Sequence, residues 1–150
     1  MFADIEPIVR LRTFFERLKS DDIWFHAVDQ EVKDMIIQMN TEDQLEEEGI
    51  DSLGRALGDY SPYTIIEKQL KGQRYDHITL KDTGAFYDSW VVTVNREGIE
   101  IDADDASLYD QPLFQVWGED VLGLTDENME ILRGVIADKY IEYIYEQLLH

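Results

Sequence analysis

Asp82, Thr83 and Gly84 follow the apolar Leu80 and the cation Lys81 and run into Ala85-Phe86. An Asp-Thr-Gly loop of this kind can do chemistry when two copies meet. Their carboxylates lie so close that both cannot ionise, and the pair shares a proton that serves peptide hydrolysis. With one copy per chain, Asp82 would become a catalytic acid only in a homodimer. The other reading is a capped turn, in which Asp82 or Thr83 accepts amide hydrogen bonds at the start of a short helix and Gly84 allows the tight entry.

The first reading is that of a retroviral-type aspartic protease, and three features of the sequence oppose it. Lys81 stands where such a loop has an apolar residue, and its ammonium favours an ionised Asp82. Phe86, Ser89 and Trp90 are spaced for a turn of helix rather than for a small-residue strand. The later apolar-apolar-Gly strand is also missing, since Ile131-Leu132-Arg133-Gly134 falls inside a helical pattern. The capped turn accounts for more residues, with Phe86 and Trp90 facing the core together.

Other chemistry is sparse. Asp102, Asp104 and Asp105 suggest calcium, but the sixth position of such a loop is not Gly and the twelfth is Leu113 instead of Glu. A solvated acidic loop is expected there. His26, His77 and His150 are scattered, and no phosphate-binding glycine loop is present. The absence of Cys removes disulfides and thiolate chemistry. No cofactor, no metal and no catalytic residue is expected.

The elements that must hold these residues follow from periodicity. Leu11, Phe14, Phe15 and Leu18 predict a helix over 8–19, and Val28, Val32, Met35, Ile36 and Met39 another over 26–39. Residues 40–62 carry Gly49, Gly54, Gly58 and Pro62 and read as an ordered loop. YTIIEKQLKGQ holds a helix ended by Gly72. The period then changes to two. YDHITL reads as a strand, WVVTV and IEIDA as a hairpin turned over Asn95 to Gly98, and PLFQVWG over 112–118 as a further strand with Pro112 at its start. Thr125 caps a last helix whose Met129, Leu132, Val135, Ile136, Tyr140, Ile144 and Leu148 form one apolar face. Tyr140, Tyr143 and Tyr145 read as packing and interface residues. The expected fold is α+β in a single domain over 1–150: a small antiparallel sheet including a hairpin at about 90–103 packed on N-terminal helices and a long C-terminal helix.

Thirteen Lys and Arg face thirty-three Asp and Glu, a formal net charge of −20 that repels phosphate backbones and anionic lipid. Sequence-specific nucleic-acid binding is not expected. Hydrophobic residues at 44% supply enough apolar surface for a core despite that charge. The N-terminus carries Asp4 and Glu6 and no uninterrupted apolar run, so neither a secretory signal nor a membrane span is read there.

Taken in order, QLEEEGIDSLGRALGDYSPYT, KQLKGQRYDHITLKDTGAFYDSWVV and the Gly-turned IEIDA resemble the virion-morphogenesis or minor-tail (head-tail joining) family of tailed bacteriophages and prophages. The shared pattern is Leu-x-Asp-Thr-Gly-x-aromatic-x-x-Ser-apolar before a hairpin, filled here by Leu80, Asp82, Thr83, Gly84, Phe86, Ser89 and Trp90, with Gly98 in the turn. The Gly-Asp-Tyr-Ser-Pro segment upstream is similar to the form carried by phages of Bacteroides-type bacteria, including the crAss-like group. The resemblance covers 40–136, and LYDQPLFQVWGED departs from the family's usual continuation. It implies a non-enzymatic connector, neck or tail-completion subunit in a homo-oligomeric ring. Its partners would be portal, neck or tail proteins, and its place the virion, reached from the host cytoplasm. An acidic lumen would let DNA slide past. The rival from another class is an acidic DNA-mimic inhibitor of the anti-restriction type, which needs carboxylates spread over one face like phosphates.

Overall fold

The computed structural model describes residues 26–95, 98–104 and 112–149. The helix read over 8–19 lies outside them, as do Asp105 and the two central residues of the hairpin turn.

Asp29 opens the first described helix, α1 (Gln30–Gln38), by accepting a hydrogen bond from the Val32 amide at 3.0 Å. The Lys139 ammonium also reaches the Asp29 carboxylate, at 2.8 Å, and holds it below the usual carboxylate range. Val32 and Ile36 turn inward. The chain does not leave the helix at residue 40 as the loop reading expects. It continues into a wider π-helical winding, Met39–Glu48, closed by Gly49 at φ +64°. The correction has a physical cause: Asn40, Thr41 and Gln44 occupy buried positions, so the core face of this stretch is polar and shows no apolar period.

Two of these side chains, Asn40 and Gln44, act as a clamp. Asn40 donates from Nδ2 to the Val121 carbonyl at 2.9 Å and accepts from the Gly123 amide at 2.6 Å. One turn on, Gln44 donates to the Gly123 carbonyl at 2.9 Å, and its oxygen accepts from the Thr125 amide at 3.0 Å and from Asn128 Nδ2 at 2.9 Å. Buried polar groups require such satisfaction, and here one helix face supplies it to an irregular segment about eighty residues away.

After Gly49 the chain turns on Asp51, whose carboxylate accepts from the Leu53 and Arg55 amides. Helix α2 (Pro62–Leu70) begins as its sequence dictates, with Ser61 as cap and Pro62 in the first turn, and Gly72 follows its end at φ +69°. YDHITL is not a strand. Tyr60 and Tyr87 hold Thr79 from two sides, and Leu80 sits at φ +58°, which breaks the extended path. A short helix, α3 (Ala85–Asp88), leads into the hairpin β1 (Val91–Asn95) and β2 (Gly98–Asp102), paired antiparallel from Val91 with Asp102 to Asn95 with Gly98.

PLFQVWG is helical instead of extended, as α4 (Leu113–Trp117), followed by a 3-10 turn at Glu119–Val121. Leu113 is buried while Phe114 and Trp117 pack beside it, a helical spacing that a short apolar run disguises. Thr125 then caps α5 (Asp126–Leu149), accepting from the Asn128 amide at 3.3 Å. The 24 residues of α5 extend about 36 Å. Its apolar face does not run the whole length as the spacing predicts: Met129, Leu132, Val135 and Ile136 pack in the core, whereas Leu148 has drifted to the opposite side and is exposed, because a helix of 3.6 residues per turn does not keep a four-residue spacing on one side.

The fold is α+β, a two-stranded antiparallel sheet with helices and a long C-terminal helix. One apolar cluster joins Val32, Ile36 and Met39 to Val92 and Val94 of β1 and to Leu132 of α5. A second gathers Leu45, Leu80, Phe86, Trp90, Leu113 and Val121, and Ile37 and Ile101 pack against both.

Asn40→Leu leaves the Gly123 amide and the Val121 carbonyl without their partner, and we expect it to destabilise by about 2 kcal/mol or more in urea unfolding. Gly49→Ala adds to a left-handed backbone a Cβ that overlaps the His77 ring, whereas Gly54, at φ +77°, faces open space. Gly49→Ala should therefore lower the melting temperature clearly more than Gly54→Ala. Equal losses would mean that the His77 contact gives way freely.

Candidate functional site

The Leu80–Trp90 motif is built around a strained approach and a fixed exit. Leu80 is buried in a left-handed conformation, a state costing about 1 kcal/mol that persists only when neighbours over-determine it. Thr79 is one such neighbour: its amide donates to Tyr60 Oη at 3.0 Å, its carbonyl accepts from Tyr87 Oη at 2.5 Å, and its hydroxyl accepts from the Lys81 amide at 3.2 Å. Burial pushes the Tyr87 hydroxyl far above its ordinary range, with Glu46 adding to the shift, so it is a permanent donor here.

Asp82 follows. Lys71 Nζ contacts its carboxylate at 3.2 Å, and Gln73 Nε2 donates to its carbonyl at 2.7 Å. Burial raises the Asp82 carboxyl, but the hydrogen bonds from Lys71 and Gln73 and the charges of Lys71 and Lys68 outweigh this and hold it below its ordinary value. The cation expected for this role from sequence, Lys81, points elsewhere: its ammonium pairs with Glu46 at 3.1 Å and lies over the Tyr87 ring. The cap residue is Gly84, at φ +91° and with no side-chain cap hydrogen bond, and Thr83 shapes the turn just before it, its hydroxyl accepting from the Ala85 amide at 3.3 Å.

The exit from the turn is aromatic. Phe86 and Trp90 are both buried and meet edge to face at 5.6 Å, and Phe86 meets Phe114 of α4 at 6.3 Å in the same manner. Such pairs add about 1 kcal/mol each beyond area burial. Ser89 donates to the Phe86 carbonyl at 2.6 Å and accepts from the Asp104 amide at 3.0 Å, tying α3 to the chain beyond β2. Gly98, at φ +146°, starts β2, where its amide donates to Asn95 Oδ1 at 3.0 Å. The structure therefore brings Leu80, Phe86 and Trp90 together in one core cluster and leaves Gly98 at the far end of the hairpin.

Sequence reasoning placed the helix packed beside this motif but missed which of its faces is buried. α2 is inside out: its buried residue is Lys68, 4% exposed, which donates to the Lys81 carbonyl at 2.8 Å and sits over the Tyr60 ring at 4.6 Å. Three of its large apolar side chains face water instead, Tyr63 71%, Ile66 57% and Leu70 84% exposed, with Ile65 partly covered. The spacing of these three residues is visible in the sequence. Which way the face points is not, because Lys68 has no apolar signature.

An open cleft of about 640 Å³ lies between the π-helical turn and the start of α5, and Asp43, Glu47, Glu48, Asp126 and Glu127 line it. Among the described residues no group of three His, Cys, Asp or Glu is arranged to hold a metal ion. No described helix is long and apolar enough to cross a membrane. Comparison with family models, curated proteins and solved structures finds no match to this chain.

Because the folded Asp82 carboxyl titrates below its unfolded value, its contribution is present above the unfolded value, about pH 4, and is lost as pH falls through the folded one. At neutral pH we expect Asp82→Asn to change stability by less than about 1 kcal/mol, since the Lys71 pair is largely solvated. The gap from the native chain should close in acid. Gly84→Val should cost about 1 kcal/mol or more through its backbone angle alone, the space around it being open. Thermal melts at pH 7 and pH 3 measure both, and a gap for Asp82→Asn that widens in acid would contradict the assignment.

Proposed function

We propose that this chain is a non-enzymatic structural subunit of a tailed-phage virion, a head-tail connector, neck or tail-completion protein that assembles as a ring. The observation that carries this reading is the use of the Leu80–Trp90 motif. Leu80, Phe86 and Trp90 serve the core, Thr83 and Gly84 shape a turn, and Asp82 is held ionised by Lys71 and Gln73. A carboxylate so engaged is a poor member of a proton-sharing pair, which requires one of its two acids to stay protonated. Exposed apolar residues on α2 and on the distal half of α5 give two separate surfaces for neighbours. Two different surfaces suit head-to-tail assembly, which closes into a ring when the rotation permits.

The net charge of −20 fits a conduit whose wall does not hold DNA. The same charge favours a second reading, an acidic inhibitor that mimics DNA, and purified virions separate the two. Mass spectrometry should find the chain in particles, and a reconstruction should place it at the capsid-tail junction around an acidic lumen. Absence from virions would overturn the structural reading in favour of the inhibitor.

Assembly of the isolated subunit should strengthen with salt, because at about 0.15 M ionic strength the Debye length of about 8 Å screens most repulsion between like-charged copies. Sedimentation across a salt series measures this. Association that weakens steadily with salt would assign the dominant role to interfacial ion pairs.

A further inference from the structure

Helix α1 runs antiparallel to α5 and begins beside its distal half. His26 stacks on Tyr143 at 4.6 Å, Asp29 and Glu31 reach Lys139 at 2.8 and 3.0 Å, and Met35 and Val135 line one groove. That groove is open, holds about 340 Å³ and has Val32, Met35 and Val135 in its floor. Its rim is acidic. On α1, Glu31 shares Lys139 with Asp29, and Asp34 accepts a neutral hydrogen bond from Gln30 Nε2 at 2.8 Å. On α5, Asp138 and Glu142 stand one turn beyond Val135 and Lys139 and so flank the same side. Both are exposed, and among the described residues neither has an ionic partner.

We infer that residues 8–19 of the same chain lie in this groove, as a cationic strap over its apolar floor. Charge is the first reason. Residues 8–19 hold Arg10, Arg12, Arg17 and Lys19 against Glu16 alone, four of the thirteen cations in a chain of net charge −20. Pattern is the second: Leu11, Phe14, Phe15 and Leu18 recur at helical spacing, the form in which an apolar stripe fits between two packed helices. Reach is the third. The six residues 20–25 separate this segment from His26 and span at most about 20 Å. Twelve helical residues cover about 18 Å, close to the length of α1 at about 14 Å. The groove starts where the chain arrives, whereas the acidic cleft at the start of α5 is about 24 Å from Tyr143 along the helix. Asp138 and Glu142 would then gain the cations that the described residues do not give them.

A chain without cysteine allows two to be placed at will. Full-length Thr13→Cys is combined in turn with Asp34→Cys and with Gln38→Cys, both exposed at the groove, and treated with a short bis-maleimide. A link within one chain should form at least tenfold faster than in Thr13→Cys with Leu53→Cys, where the second site lines the acidic cleft. Adding Asp138→Lys and Glu142→Lys, both at exposed positions, should slow the groove link about tenfold with an unchanged melt. An unchanged rate would overturn the charge match on which the inference rests. Equal linking to Leu53→Cys, or no link at either groove position, would overturn the docking itself. A link found only between chains would overturn it in favour of a segment exchanged between copies. None of these outcomes depends on the ring-forming reading.

Discussion

Two buried amide side chains hold the architecture in register. Asn40 and Gln44 stand on one face of the π-helical turn and satisfy the backbone of residues 121–125, the segment that delivers α5 to the core. An apolar contact there would tolerate sliding. Hydrogen bonds to particular amides and carbonyls do not, and losing one leaves a buried partner unsatisfied at about 1–3 kcal/mol. The position of Leu132 against Val92 and Val94 follows from this clamp. So does the placement of Val121 beside Phe86 and Trp90, which links the Asp-Thr-Gly turn to the same constraint.

Elements governed by local chemistry were legible in the sequence. The hairpin followed from alternation, the end of α2 from Gly72, the start of α5 from Thr125, and the turn before α3 from Thr83 and Gly84. Elements governed by distant partners were not. Asn40 and Gln44 look like loop residues because their partners lie elsewhere in the chain. Leu80 looks like a strand residue because nothing adjacent announces that Tyr60 and Tyr87 will hold Thr79 and force a left-handed step. PLFQVWG was ambiguous in principle, since five apolar-rich residues satisfy both periods and only the packing of Leu113 with Phe114 and Trp117 decides between them. Of the motif itself, the residues that come together were readable, but the cations around Asp82 were not. Lys71 and Lys68 belong to another helix, and the adjacent Lys81 turns away to Glu46.

The cost of an isolated two-stranded ribbon explains why the motif precedes it. Two strands alone are marginal in water, and here β1 has one buried face, Val92 and Val94, resting on α1 and α5. Trp90 anchors the strand entry in the second cluster, while Ile101 of β2 packs against both clusters. The ribbon is thus supported at its base by an aromatic group and along its length by aliphatic ones. Among the described residues its opposite face, with Val91 exposed, has no such support.

The inverted helix has a colloidal consequence. A protein that carries Tyr63, Ile66 and Leu70 on one water-facing surface is, by that surface alone, prone to adhere to whatever it meets. Long-range repulsion from a charge of −20 acts before any such surfaces touch, so random encounters between copies are turned back. On the proposed ring-forming reading, only an approach that presents the right orientation gains enough short-range attraction to persist. The acidity of the chain therefore works as a kinetic filter on its own stickiness, and diluting the charge without covering α2 would trade orderly solution behaviour for precipitation.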